Sequence, residues 1–460
     1  MDSPSSLSTT DKATFLFVTL GCAKNEVDTD RMRSQLLADG FVEAYDVENA
    51  SVVLVNTCSF LASATTESIE TTLELADAIA HGVRTRPLIM CGCVPSRYGS
   101  ELKDELPEVS AFVKADEEDN IVKVVREVLN LGDSAIALGD GRMLRTIEGT
   151  SAYVKISDGC DRFCSFCAIP YIRGAYHSRP QDELVDEVRG LLAGGVREIV
   201  LIGQDTGVWG SDLPGHPTLA SLLRALAQEV RPYHGWIRVL YLQPEGMTDE
   251  LIAAIRDLDE VLPYIDIPIQ HCSERVLRRM NRSGSMEELR KLFCRLRAEI
   301  DGMVLRTTGM AGFPGETDEE ADELVEFLLE QQFDYTSVFA YSPEEGTQAA
   351  ELDGQIDEAT KLERTQRLMD IAEQMGFAAT ASHVGERVSV IIDGIEEGDA
   401  GPELIGHAWF QAPDCDGAVH IEEGEASVGD IVTCDLVDSF CYELIGVMVD
   451  ETETDHEWSH

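Results

Sequence analysis

The chain has 460 residues, 44% hydrophobic and 26% charged, too long for a single core, so two or three domains are expected. Its formal net charge of -49, from 36 Lys plus Arg against 85 Asp plus Glu, argues against a nucleic-acid binder, since phosphate contacts need basic patches. No apolar run reaches the length of a membrane span, and 12 cysteines without secretory features point to metal ligation or catalysis rather than a disulfide framework.

The N-terminal stretch "MDSPSSLSTTDKATFLFVTL" lacks a charged region, a long apolar core and a cleavage site. It reads as a loose tail followed by a strand, and a cytoplasmic location is expected. "TFLFVTLGC", "SVVLVNTC" and "PLIMCGC" are apolar β runs ending at Cys22, Cys58 and Cys93. The helical patterns "DTDRMRSQLLADG" and "ATTESIETTLELADAIAHG" follow the first and second. This alternation predicts a βαβ series with a parallel sheet. In such sheets ligands gather outside the carboxyl ends of the strands, where all three cysteines fall. Cys91 rivals Cys93, because positions two apart in a strand share a face.

From about residue 147 six more strands are expected: "AYVKIS", "EIVLIG", "WIRVLY", "YIDIP", "MVLRTT" and "YTSVFAY". Helical segments such as "QDELVDEVRGLLAGG" and "DEEADELVEFLLEQQ" separate them. The pattern predicts a partial (β/α)6 barrel with its chemistry at the carboxyl ends of the strands. A long helical pattern, "DEATKLERTQRLMDIAEQMGFAATASHVG", leads to a last region of five short β runs, "RVSVIIDG", "LIGHAWF", "GAVHIEE", "DIVTCDLVD" and "YELIGVMVD". Short strands with Gly and Asp turns predict a small five-stranded β-barrel.

The densest signal is "ISDGCDRFCSFCAIP", which places Cys160, Cys164 and Cys167 in a C-x3-C-x2-C spacing just after the first barrel strand. Structural zinc normally takes four N or S ligands, often as two pairs, and the nearest histidine is His177. Three thiolates also suit an iron–sulfur cluster, and a [4Fe–4S] cluster held by three keeps one iron open. Cys272, Cys294, Cys415, Cys434 and Cys441 stand apart and read as structural.

Spacing and context together resemble the radical-SAM superfamily. The match extends through "GCAKNEVDTD", "NTCSFLASATTES", "GCVPSRY", "GCDRFCSFCAIPYIRGAYHSRP", "GQDT", "YLQPEG", "DIPIQH", "GFPGET" and "YSPEEGT". Over nearly the whole chain it looks like the methylthiotransferase family. The resemblance implies three parts: an N-terminal cluster domain (1–140), a radical-SAM partial barrel (146–380) and a TRAM-like barrel (384–455). It also implies two [4Fe–4S] clusters, one on Cys22, Cys58 and Cys93 and one on Cys160, Cys164 and Cys167, with "GC" at Cys93 favouring it over Cys91. S-adenosylmethionine (SAM) is then both methyl donor and radical source, an electron donor is required, and no catalytic residue is assigned beyond the clusters. Phe166 stands before the third cysteine, as in the family pattern. Gln204 and Asp205 fall where radical-SAM proteins contact the SAM amino group, or else form a turn with a helix N-cap. Gly312 and Glu316, in the "GFPGE" turn, are expected near the cofactor, although a Pro-Gly turn needs no ligand. Asp266, Gln270 and His271 end the fourth strand, and Arg173 suits a carboxylate.

"GCAKNEVD" and "NTCSFLASATTES" look like the RimO-like branch, which modifies an aspartate β-carbon on small-subunit ribosomal protein S-twelve. The alternative is the MiaB-like branch, which modifies a tRNA adenosine. Residues 386–455 hold 19 acidic residues against one basic, Arg387. A barrel that grips RNA should be basic, so a basic protein partner, no membrane and no direct nucleic-acid binding are expected. Reversing acidic residues on one face of the barrel, for instance Glu422, Glu423 and Glu425, should weaken binding of that protein partner if that face is the contact. The same acidity also fits simple solubility.

Overall fold

A computed structural model describes residues 12–132, 145–146, 149–398, 401–421 and 424–449; Glu422 and Glu423 lie outside the described residues. The chain forms two compact units: Met1–Thr146 with Ala168–Ala175, and Ile147–Cys167 with Tyr176–His460.

In the first unit the β-branched runs build β1 (Thr14–Thr19), β3 (Val52–Thr57) and β4 (Leu88–Gly92), flanked by short β2 (Val42–Glu43) and β5 (Ala111–Lys114). The order is β2-β1-β3-β4-β5, and every pairing is parallel. Strands β3 and β4 are buried along their whole length, as a sheet covered on both faces requires. Alternate residues feed separate cores: Leu54, Ile89 and Cys91 pack with Phe15 and Ile121, whereas Val53, Val55 and Met90 pack with Ile79 and Val94.

The second unit opens with β6 (Ser151–Lys155) and a two-residue pair, β7 (Ser157–Asp158) with β8 (His177–Ser178). It continues through β9 (Glu198–Ile202), β10 (Trp236–Val239), β11 (Val261–Asp266), β12 (Val304–Ala311) and β13 (Tyr335–Ala340). The six long strands lie side by side in chain order, β6-β9-β10-β11-β12-β13, all parallel. This is the open six-unit barrel the alternation predicts. Several of its helices start on side-chain caps, such as the reciprocal Thr317–Glu320 capping box ahead of Asp318–Gln331.

The helix Glu358–Ser382 leads to β14 (Arg387–Gly398), β15 (Gly401–Ala408), β16 (Val419–Ile421), β17 (Ile431–Phe440) and β18 (Glu443–Met448). They close into the expected five-stranded barrel, β14-β15-β16-β18-β17. A buried polar seam joins this barrel to the larger one. Glu198 of β9 accepts from Arg238 Nε of β10 at 2.6 Å and is bonded to His407 of β15. The other ring nitrogen of His407 lies 2.6 Å from Asp393. Tyr264 donates to Asp416 at 2.5 Å, which also pairs with Arg306. No helix among the described residues is long and apolar enough to cross a membrane.

Candidate metal centres

The N-terminal triplet is assembled by three strand-to-helix turns. Cys22 is the extended N-cap of the helix Ala23–Ala38, Cys58 directly follows β3 and Cys93 is the first residue of the helix Cys93–Tyr98. Burial pushes the Cys58 thiol up to about 11; the Phe60 N–H opposes the rise, while the charges of Cys93 and Cys22 add to it. Burial likewise raises Cys93, with Arg173 acting against it. Three cysteines brought together from separate strand-to-helix turns are of the type that holds a shared iron–sulfur group. The donor set therefore fits a cluster. Among the described residues, no three His, Cys, Asp or Glu side chains are close enough to hold one metal ion, and a multi-iron cluster spaces its thiolates more widely than a single ion does.

The structure separates Cys91 from Cys93. Strand β4 ends at Gly92, which adopts φ 88°, ψ -136°. A Cβ there would lie 2.2 Å from Asn56 Oδ1 and 2.9 Å from the Thr57 carbonyl oxygen, so only glycine fits. The turn leaves Cys91 in the sheet core and puts Cys93 with Ala168 and Ile172. Cys93 is a helix residue, so the alternation of a strand does not extend to it.

The second triplet lies in the loop between β7 and β8. Phe163 takes a left-handed conformation, φ 48°, and its carbonyl accepts from Asn281 Nδ2 at 2.9 Å. Ser165 N–H donates to the Met280 carbonyl at 2.9 Å, and its hydroxyl donates to the Arg279 carbonyl at 2.8 Å. Cys167 N–H donates to the Cys164 carbonyl at 3.0 Å. These ties hold an irregular loop in one shape. Burial raises the Cys160 and Cys164 thiols, and Arg162 opposes both rises. This set also fits a thiolate-held cluster. No disulfide joins any of the twelve cysteines.

Gln204 and Asp205 follow β9, and they meet the end of β7 and this loop, respectively. Gln204 Nε2 donates to Asp158 at 3.1 Å, and Asp205 pairs with Arg162, two residues after Cys160. Phe166 packs on the cluster of Met310, Phe313 and Tyr341, which includes Phe313 of the "GFPGE" turn. Glu316 points inward. Its carboxylate accepts from Gly312 N–H at 2.9 Å, pairs with Arg364 at 2.6 Å and lies 3.2 Å from His271 Nε2. His271 Nδ1 accepts from the Cys272 and Ser273 N–H groups, so the ring proton sits on Nε2, facing Glu316. Gly312, at φ 75°, lies against Lys361, whose Cγ would be 2.3 Å from an added Cβ. The positive φ and the Lys361 side chain both favour glycine there.

Sequence reasoning missed Arg162, Asp158, Asn281 and Asn25. Asn25 lies inside "GCAKNEVD", but nothing in a motif says which partner an amide will find. Here its Oδ1 is 3.5 Å from Cys22 Sγ and its Nδ2 donates to the Thr57 carbonyl at 2.9 Å.

The radical SAM superfamily profile matches residues 154–328, an uncharacterized protein family, UPF0004, matches 14–114 and the TRAM domain matches 384–449. The ribosomal protein uS12 methylthiotransferase RimO of Geotalea uraniireducens is 43% identical over 451 residues, covering 96% of this chain and all of that protein (100%). The protein of the same name from Geobacter sulfurreducens is 42% identical, covering 94% and 98%. Among solved structures, the radical S-adenosylmethionine methyltransferase TsrM of Kitasatospora setae, with tryptophan and a SAM analogue bound, has a TM-score of 0.55 at 15% identity, over 71% of this chain and 73% of that one; this likeness concerns the fold alone. Near-full-length identity of this size settles the relationship: the chain belongs to the RimO family of radical-SAM methylthiotransferases.

Proposed function

We propose that this protein adds a methylthio group to the β-carbon of an aspartate on small-subunit ribosomal protein uS12. The observation that carries the reading is near-full-length identity to RimO proteins in a chain with two cysteine triplets at strand ends. Radical-SAM methylthiotransferases use SAM and [4Fe–4S] clusters. Cys160, Cys164 and Cys167 would hold one cluster and Cys22, Cys58 and Cys93 the other. When bound, these groups supply one-electron cleavage of SAM, a methyl group and sulfur. Phe166, Gln204, Asp205, Gly312 and Glu316 are proposed to shape the SAM side of the barrel. In that role Asp205 positions Arg162, and Glu316 fixes the turn that begins at Gly312.

The three functional parts are taken as 1–140, 146–380 and 384–455. The acidic last part supports a basic protein partner over RNA, because complementary charge speeds encounter and suppresses wrong partners. An external electron donor and a cytoplasmic setting belong to the same reading. The test offers the anaerobically reconstituted enzyme both uS12 and tRNA and weighs the products. A gain of about 46 Da on uS12 only, the net change when H becomes SCH3, is expected. Gain on tRNA only would promote the MiaB-like alternative.

A further inference from the structure

Arg173 and Asp28 form an ion pair at 2.6 Å, with both side chains almost fully buried, 2% and 0% exposed. Asp28 lies on the helix that Cys22 caps. Arg173 follows the helical turn Ile169–Ile172, in the segment Ala168–Ala175 that belongs to the first unit. The guanidinium is not spent on the ion pair alone: Nη1 meets Asp28, while Nη2 lies 3.5 Å from Cys93 Sγ. Ala168 and Ile172 pack on the same cysteine. Asn25 Nδ2 approaches that sulfur at 4.0 Å.

A guanidinium has a rigid fork of donors, so a carboxylate on one prong aims the other. An isolated buried cation would be costly, and Asp28 compensates it while leaving an N–H directed at sulfur. Hydrogen bonds with a charged donor are stronger than neutral ones. Partners that bond to ligand atoms orient those ligands and tune what they hold.

We infer that Arg173, aimed by Asp28, is a positioning residue for the N-terminal cysteine site: it donates to Cys93 Sγ, and so retains the cluster and raises its reduction potential. Reduction adds negative charge to the cluster and its sulfurs, and a donor beside one sulfur stabilises that form. The inference rests on the reading of Cys22, Cys58 and Cys93 as cluster ligands.

The test uses the full chain carrying Cys160→Ala, Cys164→Ala and Cys167→Ala, so that only the N-terminal cluster is present. In that background Asp28→Asn/Arg173→Gln removes both charges together and leaves neither partner buried and uncompensated. The midpoint potential, followed by electron paramagnetic resonance, is expected to move to more negative values, and iron loss to a chelator to become several-fold faster. Arg173→Lys keeps the charge without the fork and is expected to shift both readings the same way, by less. It decides the question should the double variant fail to fold. Unchanged potential and unchanged iron loss in a folded variant would overturn the inference. Failure of the parent triple variant to bind iron with Arg173 intact would overturn the cluster reading and this inference with it.

Discussion

Gly92 gives two neighbouring thiols, Cys91 and Cys93, different surroundings. Alternation along a strand treats Cys91 and Cys93 alike, because it assumes the strand continues through both. The left-handed turn at Gly92 ends that regularity after Cys91. Cys91 is fully buried among apolar side chains, and burial holds its thiol well above the ordinary range, the setting of an inert core cysteine. Cys91→Ala is therefore expected to cost about 1 kcal/mol of stability with iron content unchanged, whereas Cys93→Ala loses the N-terminal cluster. Iron analysis and denaturant unfolding of the two variants check this. Iron lost from Cys91→Ala and kept by Cys93→Ala would reverse the assignment. The cysteines themselves were legible because three thiols at one spacing are rare. Their partners were not: Arg173 and Asp28 are separated by 145 residues, and nothing in either local sequence points to the other.

At the scale of elements, the central strands were readable and the edges were not. Strands β3 and β4 are continuous apolar runs, the signature of a sheet buried on both faces. Strands β2 and β5 have only two and four residues, too few for a period to emerge. The polar seam between β9, β10 and the small barrel was invisible for another reason. Glu198, Arg238 and His407 look like ordinary surface residues until the fold buries them. Burial alone would lower the His407 pKa, but Glu198 and Asp393 raise it to about 9. Burial alone would raise Glu198, but Arg238 and His407 bring it to about 2. The His407 contribution to stability is thus complete below its unfolded value near 6.5 and is lost as pH rises through about 9. The Glu198 contribution is complete above about 4.5 and is lost as pH falls toward about 2. His407→Gln is expected to cost a few kcal/mol between about pH 5 and 6.5, and the difference in melting temperature from the parent should shrink toward pH 9. A difference that stays constant from pH 6 to 9 would contradict a charged His407.

At the scale of the whole molecule, the sequence pattern carried the architecture because each part has its own period and its own turn residues. The alternating β/α runs gave parallel sheets, and the short strands gave a closed barrel. What it did not give was the placement of Ala168–Ala175 with the first unit. Within that unit Ala168 and Ile172 pack on Cys93. Two separate three-cysteine sites are the claim on which the enzyme reading depends, and iron content after anaerobic reconstitution tests it most directly. The parent should hold about eight iron atoms per chain, and each triple alanine variant, at 22/58/93 or at 160/164/167, about four. A triple variant that keeps the parent's iron content would contradict the account.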